Sequence, residues 1–219
     1  LVRHRMRWHG HCAGRTTRHR VGLRQRDLLL RAAPPLLTTL GRRLWRATVK
    51  TGGEGSSLIT TPRILVHFSC GAASAVAWKV TEERYGKECE VEAVYADMSQ
   101  NEHPDNARFM VDVERWVGKK VTVLSHPKYK NIDTLFLDTK FIVAPSGAIC
   151  TRIMKREVGE SYQRSGDRHV FGYTADERAR IIRFNANNPD LNSLWVLAIA
   201  GITKEHCYRI LSAAGIELP

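Results

Sequence analysis

Cysteine is sparse and scattered in this chain of 219 residues: Cys12, Cys70, Cys89, Cys150 and Cys207 form no CxxC pair. An odd number without a framework, and without a secretory signal, excludes a disulfide-stapled secreted scaffold. At this spacing alone it also excludes a complete zinc site, and it reads as a reducing, cytoplasmic setting. No uncharged apolar run approaches the roughly 18–20 residues of a membrane span, so no membrane partner is expected. Gly-Lys-Ser/Thr and GxGxxG are both missing, which excludes Walker-type and dinucleotide-binding loops.

Acidic residues are nearly absent from the first segment. Residues 1–62 hold 13 of the 34 Lys+Arg but only two of the 22 Asp+Glu, Asp27 and Glu54. Residues 63–219 hold the other 21 bases and 20 acids. The formal net charge of +12 therefore belongs almost wholly to the arm, and overall basicity is no argument that the folded part binds nucleic acid. Up to Val49 every Lys/Arg position is arginine, Pro34-Pro35 breaks the apolar patch, and Gly52–Ser57 has linker composition. Residues 1–62 read as a disordered basic extension or a mis-assigned start. The alternatives are an Arg-rich transit peptide and an arm that meets nucleic acid through phosphates.

From Arg63 onward the pattern is regular. Strands are expected at Ile64–Phe68, Val91–Ala96, Lys120–Leu124, His169–Gly172 and Leu194–Ile199. Helices are expected at 74–85, around Phe109, Met110, Val113, Trp116 and Val117 (closed by Gly118), at 151–163, from Ala175 to about Asn185, and at a last stripe of Cys207, Ile210, Leu211 and Ala214. Residues 125–149 read as loop. This alternation predicts a doubly wound α/β domain with a mainly parallel five-stranded sheet, whose ligands sit at the carboxyl ends of the strands.

One stretch stands out at such an end. In Phe68-Ser69-Cys70-Gly71-Ala72-Ala73-Ser74 a strand feeds a helix through residues with almost no side chains. A helix N-terminus offers free amides and the positive end of the macrodipole, and small residues let a phosphate approach the backbone. Ser69 and Ser74 can add hydroxyl donors. A plain tight connection is the competing reading.

Ser69–Ser74 resembles the PP-loop of the adenine nucleotide alpha-hydrolase superfamily, usually written SGGxDS. It is closer to the SGGAAS form of phosphoadenosine phosphosulfate (PAPS) reductase-like proteins of phage and bacteria. The resemblance extends through 95–116, KYKNI (128–132), GAICTRIMKREV (147–158), GYTADERAR (172–180) and 201–219, nearly all of 63–219. It implies a Rossmann-like domain of PP-loop type in a bacterial or phage-infected cytoplasm. It further implies that the domain binds ATP or PAPS, with magnesium as a companion, and acts in adenylation or in sulfur transfer or reduction. Sulfur modification of tRNA or DNA, and nucleotide binding without turnover, are the alternatives.

The same resemblance assigns residues. Ser69, Cys70, Gly71, Ala72, Ala73, Ser74, Asp97, Gly172 and Arg180 would contact the nucleotide, and Asp97, Arg152, Lys155 and Glu177 would be catalytic. Cys150 would be an iron–sulfur ligand whose partners lie outside this chain, which ends at Pro219 where relatives continue into a Cys-containing segment. Three positions depart from the pattern: Cys70 replaces a usual glycine, Ala73 a frequent aspartate, and Thr174 the arginine of GxRxxE. Read without the resemblance, Thr174-x-x-Glu177 is a capping box, Asp97 a strand-end cap, and His103 and Asp105 caps of the next helix.

Overall fold

The computed structural model describes residues 61–144 and 147–219; the expectations for residues 1–60 lie outside it. Five strands form one wholly parallel sheet: β1 (Arg63–His67), β2 (Glu90–Ala96), β3 (Val121–Leu124), β6 (Arg168–Val170) and β7 (Ser193–Leu194). The order β3-β2-β1-β6-β7 is doubly wound, as expected, and reverses between β1 and β6. That gap is the topological switch point, where such sheets open a crevice. Val66 pairs with Ala93 on one side and with Val170 on the other, so β1 is the central strand. Its near-continuous apolar run is what a strand covered on both faces requires.

One face of the sheet packs on α1 (Ala72–Tyr85), which in turn touches α2 (Asn106–Val117), α6 (Val196–Ile199) and α7 (Lys204–Ala213). Val66, Val76, Trp78, Phe109 and Val113 are fully buried there, and Phe68 lies against Trp78, Tyr95 and Phe109. Helix α2 ends as its sequence requires, on Gly118 with φ +89°. The stripe expected on α7 is present: Cys207 and Leu211 are buried. The other face of the sheet carries α4 (Val158–Tyr162) and α5 (Arg178–Asn187).

Three expectations need correction. The segment 125–149 is not all loop: α3 (Ile132–Thr139) begins where Asn131 accepts the Thr134 amide at 2.8 Å. It inserts Leu135 into a small cluster with Met98, Ile149 and Met154. A two-stranded antiparallel pair, β4 (Val143–Ala144) and β5 (Gly147–Ala148), follows. Residues 194–199 are not a strand, since pairing stops at Leu194 and the Ile199 amide bonds the Trp195 carbonyl at 2.9 Å, a helical bond. A short apolar run fits either state, and burial of Val196, Leu197 and Ala200 against the α1 side selects the helix. Finally, the helix expected at 151–163 starts as a π-helical segment, Thr151–Glu157, before α4. Among the described residues no helix is long and apolar enough to cross a membrane.

Candidate nucleotide site

The loop after β1 reaches the switch point at Ser69. Helix α1 begins at Ala72, two residues earlier than its sequence suggests, so the turn itself is only Ser69–Gly71. Ser74, 3% exposed, shapes the turn from inside. Its Oγ accepts the amides of Ser69 (3.2 Å) and Gly71 (3.3 Å) and donates to the Gly71 carbonyl at 2.9 Å. Ser69 is exposed, its Oγ 3.2 Å from that of Ser74. Of the two serines, Ser69 is therefore the one open to a ligand. Ala72 and Ala73 occupy the first turn of α1, where amides have no intrahelical acceptor.

Cys70 stands in the left-handed region at φ +53°, a conformation that favours glycine and stores strain in other residues. The thiol is buried and directed at the Asn106 carbonyl, 3.9 Å away. Burial pushes its pKa up to about 12, Glu102 adds to the rise, and Lys155 opposes it. It is a thiol, not a thiolate.

Gly172, from the loop after β6, closes the other side of the switch point. A Cβ there would lie 2.7 Å from the Ser74 nitrogen and 3.0 Å from Ala73 C and Ser74 Cα, so only glycine fits. The loop after β6 is thus in backbone contact with the first turn of α1. Next to it, Tyr173 carries the Arg180 guanidinium 4.6 Å from its ring centroid. Arg180 also bonds Glu177 at 2.7 Å. Glu177 in turn accepts the Thr174 amide at 3.1 Å, completing the reciprocal cap that the sequence spells out.

At the end of β2, Asp97 is half-buried, and its Oδ2 accepts Ser125 Oγ at 3.2 Å. The π-helical segment separates the two bases assigned to the site. Arg152 is exposed and paired with Glu157 at 3.0 Å, whereas Lys155 reaches inward to Glu102 Oε1 at 2.8 Å. Cys150 packs against the Met98–Leu135–Ile149–Met154 cluster. Among the described residues no three His, Cys, Asp or Glu side chains gather as metal ligands. They therefore do not fit an iron–sulfur cluster.

The sequence reading passed over Glu102. Its Oε2 accepts Tyr95 Oη at 2.6 Å and Asn106 Nδ2 at 3.1 Å, while Oε1 holds Lys155. Burial alone would raise this carboxyl; the bonds from Lys155 and Tyr95 outweigh it and keep the pKa below the usual range. The available signal was Tyr95, a polar tip inside an apolar strand, seven residues before a carboxylate. Also unforeseen was the pair of His67 Nε2 and His169 Nδ1, 3.1 Å apart, with His67 stacked on Phe171 at 4.4 Å.

No protein-family model and no curated protein matches the chain. Among solved structures, it is similar to the U34-tRNA thiolase NcsA from Methanococcus maripaludis, determined with its [4Fe-4S] cluster. The likeness is one of fold. The two share 17% sequence identity at a TM-score of 0.50, over 81% of this chain and 65% of the thiolase, so the chain spans less than two thirds of its neighbour's length.

Proposed function

We propose that residues 63–219 form a PP-loop domain that binds ATP at the switch point and transfers its adenylyl group to an acceptor, as the activating step of sulfur transfer. The observation that supports this most is the Gly172–Ser74 contact, which ties the loop after β6 to the first turn of α1, beside the Ser69–Gly71 turn. The amides of Cys70–Ala73 and the Ser69 hydroxyl would hold phosphate oxygens, as charge-stabilising donors aimed before the reaction begins. Lys155 would neutralise phosphate charge, and Asp97 would face the ribose or a magnesium-bound water. Arg180 on Tyr173 would border the cradle from the β6 side. An acceptor oxygen attacks the α-phosphorus, the bond to the bridging oxygen breaks, and pyrophosphate leaves with the electron pair.

The likeness to a tRNA thiolase favours a nucleic-acid acceptor as the second reading, and the arginine-rich residues 1–62 would serve that reading through phosphate contacts. PAPS reduction would need a reactive thiolate. Cys70 and Cys207 are both buried, with thiols pushed up to about 12 by that burial, so neither supplies one.

Thermal melting of the full chain tests the site. ATP at a hundred times its Kd stabilises a protein by about 2.7 kcal/mol, a rise of several degrees in Tm. Gly71→Asp places a carboxylate over the turn, since its Cβ would lie 3.7 Å from Ser69 Oγ, and should abolish the shift. If neither ATP nor PAPS moves the wild-type Tm, the nucleotide reading fails.

A further inference from the structure

Lys155 lies 53 residues from Glu102 in sequence, on a π-helical segment of the kind that recurs at functional sites. Its ammonium has three N–H donors, and among the described residues Glu102 is its one bonded partner. The Lys155 side chain is 40% exposed and that of Glu102 only 18%, so the ammonium reaches inward to a carboxylate more covered than the lysine itself. The carboxylate is immobilised: Tyr95, 5% exposed and packed on Phe68, grips Oε2 together with Asn106. Asn106 is also the first residue of α2, and its carbonyl faces the Cys70 thiol of the turn. A chain of contacts thus runs from the strained Cys70 through Asn106 and Glu102 to Lys155.

We infer that Glu102 is a positioning residue: it fixes the flexible Lys155 stem beside the Ser69–Gly71 turn through one donor, leaving the other two for an anionic ligand. The inference rests on the nucleotide reading for the identity of that anion, and on the geometry alone for the hold. A lysine has four rotatable side-chain bonds and a strongly hydrated head, so without an anchor its charge is spread over a wide volume. With both Glu102 oxygens occupied, the carboxylate cannot follow the lysine outward.

The sign of one substitution separates positioning from simple electrostatics. Glu102→Gln removes a negative charge near the proposed phosphates, and charge alone would make ATP bind more tightly. Loss of the anchor predicts the opposite, a three- to tenfold weaker Kd by calorimetry. Lys155→Met should weaken binding at least as much, and adding Glu102→Gln to it should cost nothing more, because the two act through one contact. Tighter or unchanged binding in Glu102→Gln, or additive losses in the double variant, overturns the inference.

A second readout needs no nucleotide. Labelling of Lys155 by an acylating reagent, located by peptide mass spectrometry, should speed up several-fold in Glu102→Gln while the Tm stays within a few degrees of wild type. An unchanged labelling rate overturns the hold. A wild type that ignores ATP but shows the labelling change would sink the nucleotide reading and leave the hold standing.

Discussion

The two faces of the sheet are built on different principles. Toward α1 and α2, Ile64, Val66, Phe68, Val91, Ala93 and Val170 make an apolar layer with Trp78 and Phe109. Toward α4 and α5, the alternate residues of the same strands combine buried apolar Leu65 and Val94 with a bonded polar set. Arg63 grips Asp167 through two bonds of 3.0 and 2.6 Å and Glu92 through a third of 3.1 Å. Glu92 also accepts Tyr162 Oη and Thr122 Oγ1, and beyond Leu65, nearer the switch point, His67 meets His169. The apolar layer is interchangeable in its parts and insensitive to pH. The polar layer is specific, and each member depends on the others keeping their charge and place.

Removing one partner from the polar layer should break this balance most strongly. Asp167→Ala leaves a guanidinium that is 3% exposed with two of its four hydrogen bonds gone, and about 3–5 kcal/mol of unfolding free energy should be lost in urea titrations. Arg63→Met with Asp167→Leu should restore a good part of it. On the apolar face Ile64→Val should cost only about 0.5–1.5 kcal/mol. Near-equal losses for Asp167→Ala and Ile64→Val would erase the distinction.

Acid comes next. Burial, with His169 adding to it, lowers the His67 pKa to about 4 from the ordinary 6.5. Between those values the unfolded chain binds the proton and the folded one does not. Stability should therefore be full above pH 6.5 and fall by about 2–4 kcal/mol as pH drops toward 4. His67→Leu should flatten that part of the curve. The carboxyls of Asp167 and Glu92 are held below their usual range despite burial, by bonds from Arg63 for Asp167 and chiefly from Tyr162 and Thr122 for Glu92. Their contribution disappears at lower pH, so a wild-type curve that is level between pH 6.5 and 4.5 would contradict the histidine account. A small effect belongs to the α5 entry: Glu177→Gln weakens the reciprocal cap and should lower stability by about 1 kcal/mol in urea titrations.

The same contrast explains what the sequence discloses. The apolar face declares itself through strand β1 and the Phe109–Val113 stripe, because burial on that side is a matter of periodicity. The capping box at Thr174 and the closing Gly118 are equally local signals. Where local signals end, so does the reading. Nothing near Arg63 announces Asp167, 104 residues away, and nothing near Lys155 announces Glu102. Arg152 and Lys155 look equivalent in sequence, yet the π-helical winding, which has no residue signature, sends one to solvent and the other inward. Ala72 and Ala73 read as turn because they are small, but Gly71 already caps the helix and they start it. The corrected segment 194–199 shows the limit of hydrophobicity alone, since its apolar residues are buried as expected but in a helix.

The Gly172 contact has a consequence for the time course of events. Because that residue rests on the backbone of Ser74, the head of α1 and the β6 loop share one set of fluctuations instead of two. The entropy of aligning them is lost when the chain folds, not when a ligand arrives, so a ligand would meet amides already in register. Binding at this place should then be fast and show little rearrangement, with any slow step confined to side chains such as Lys155.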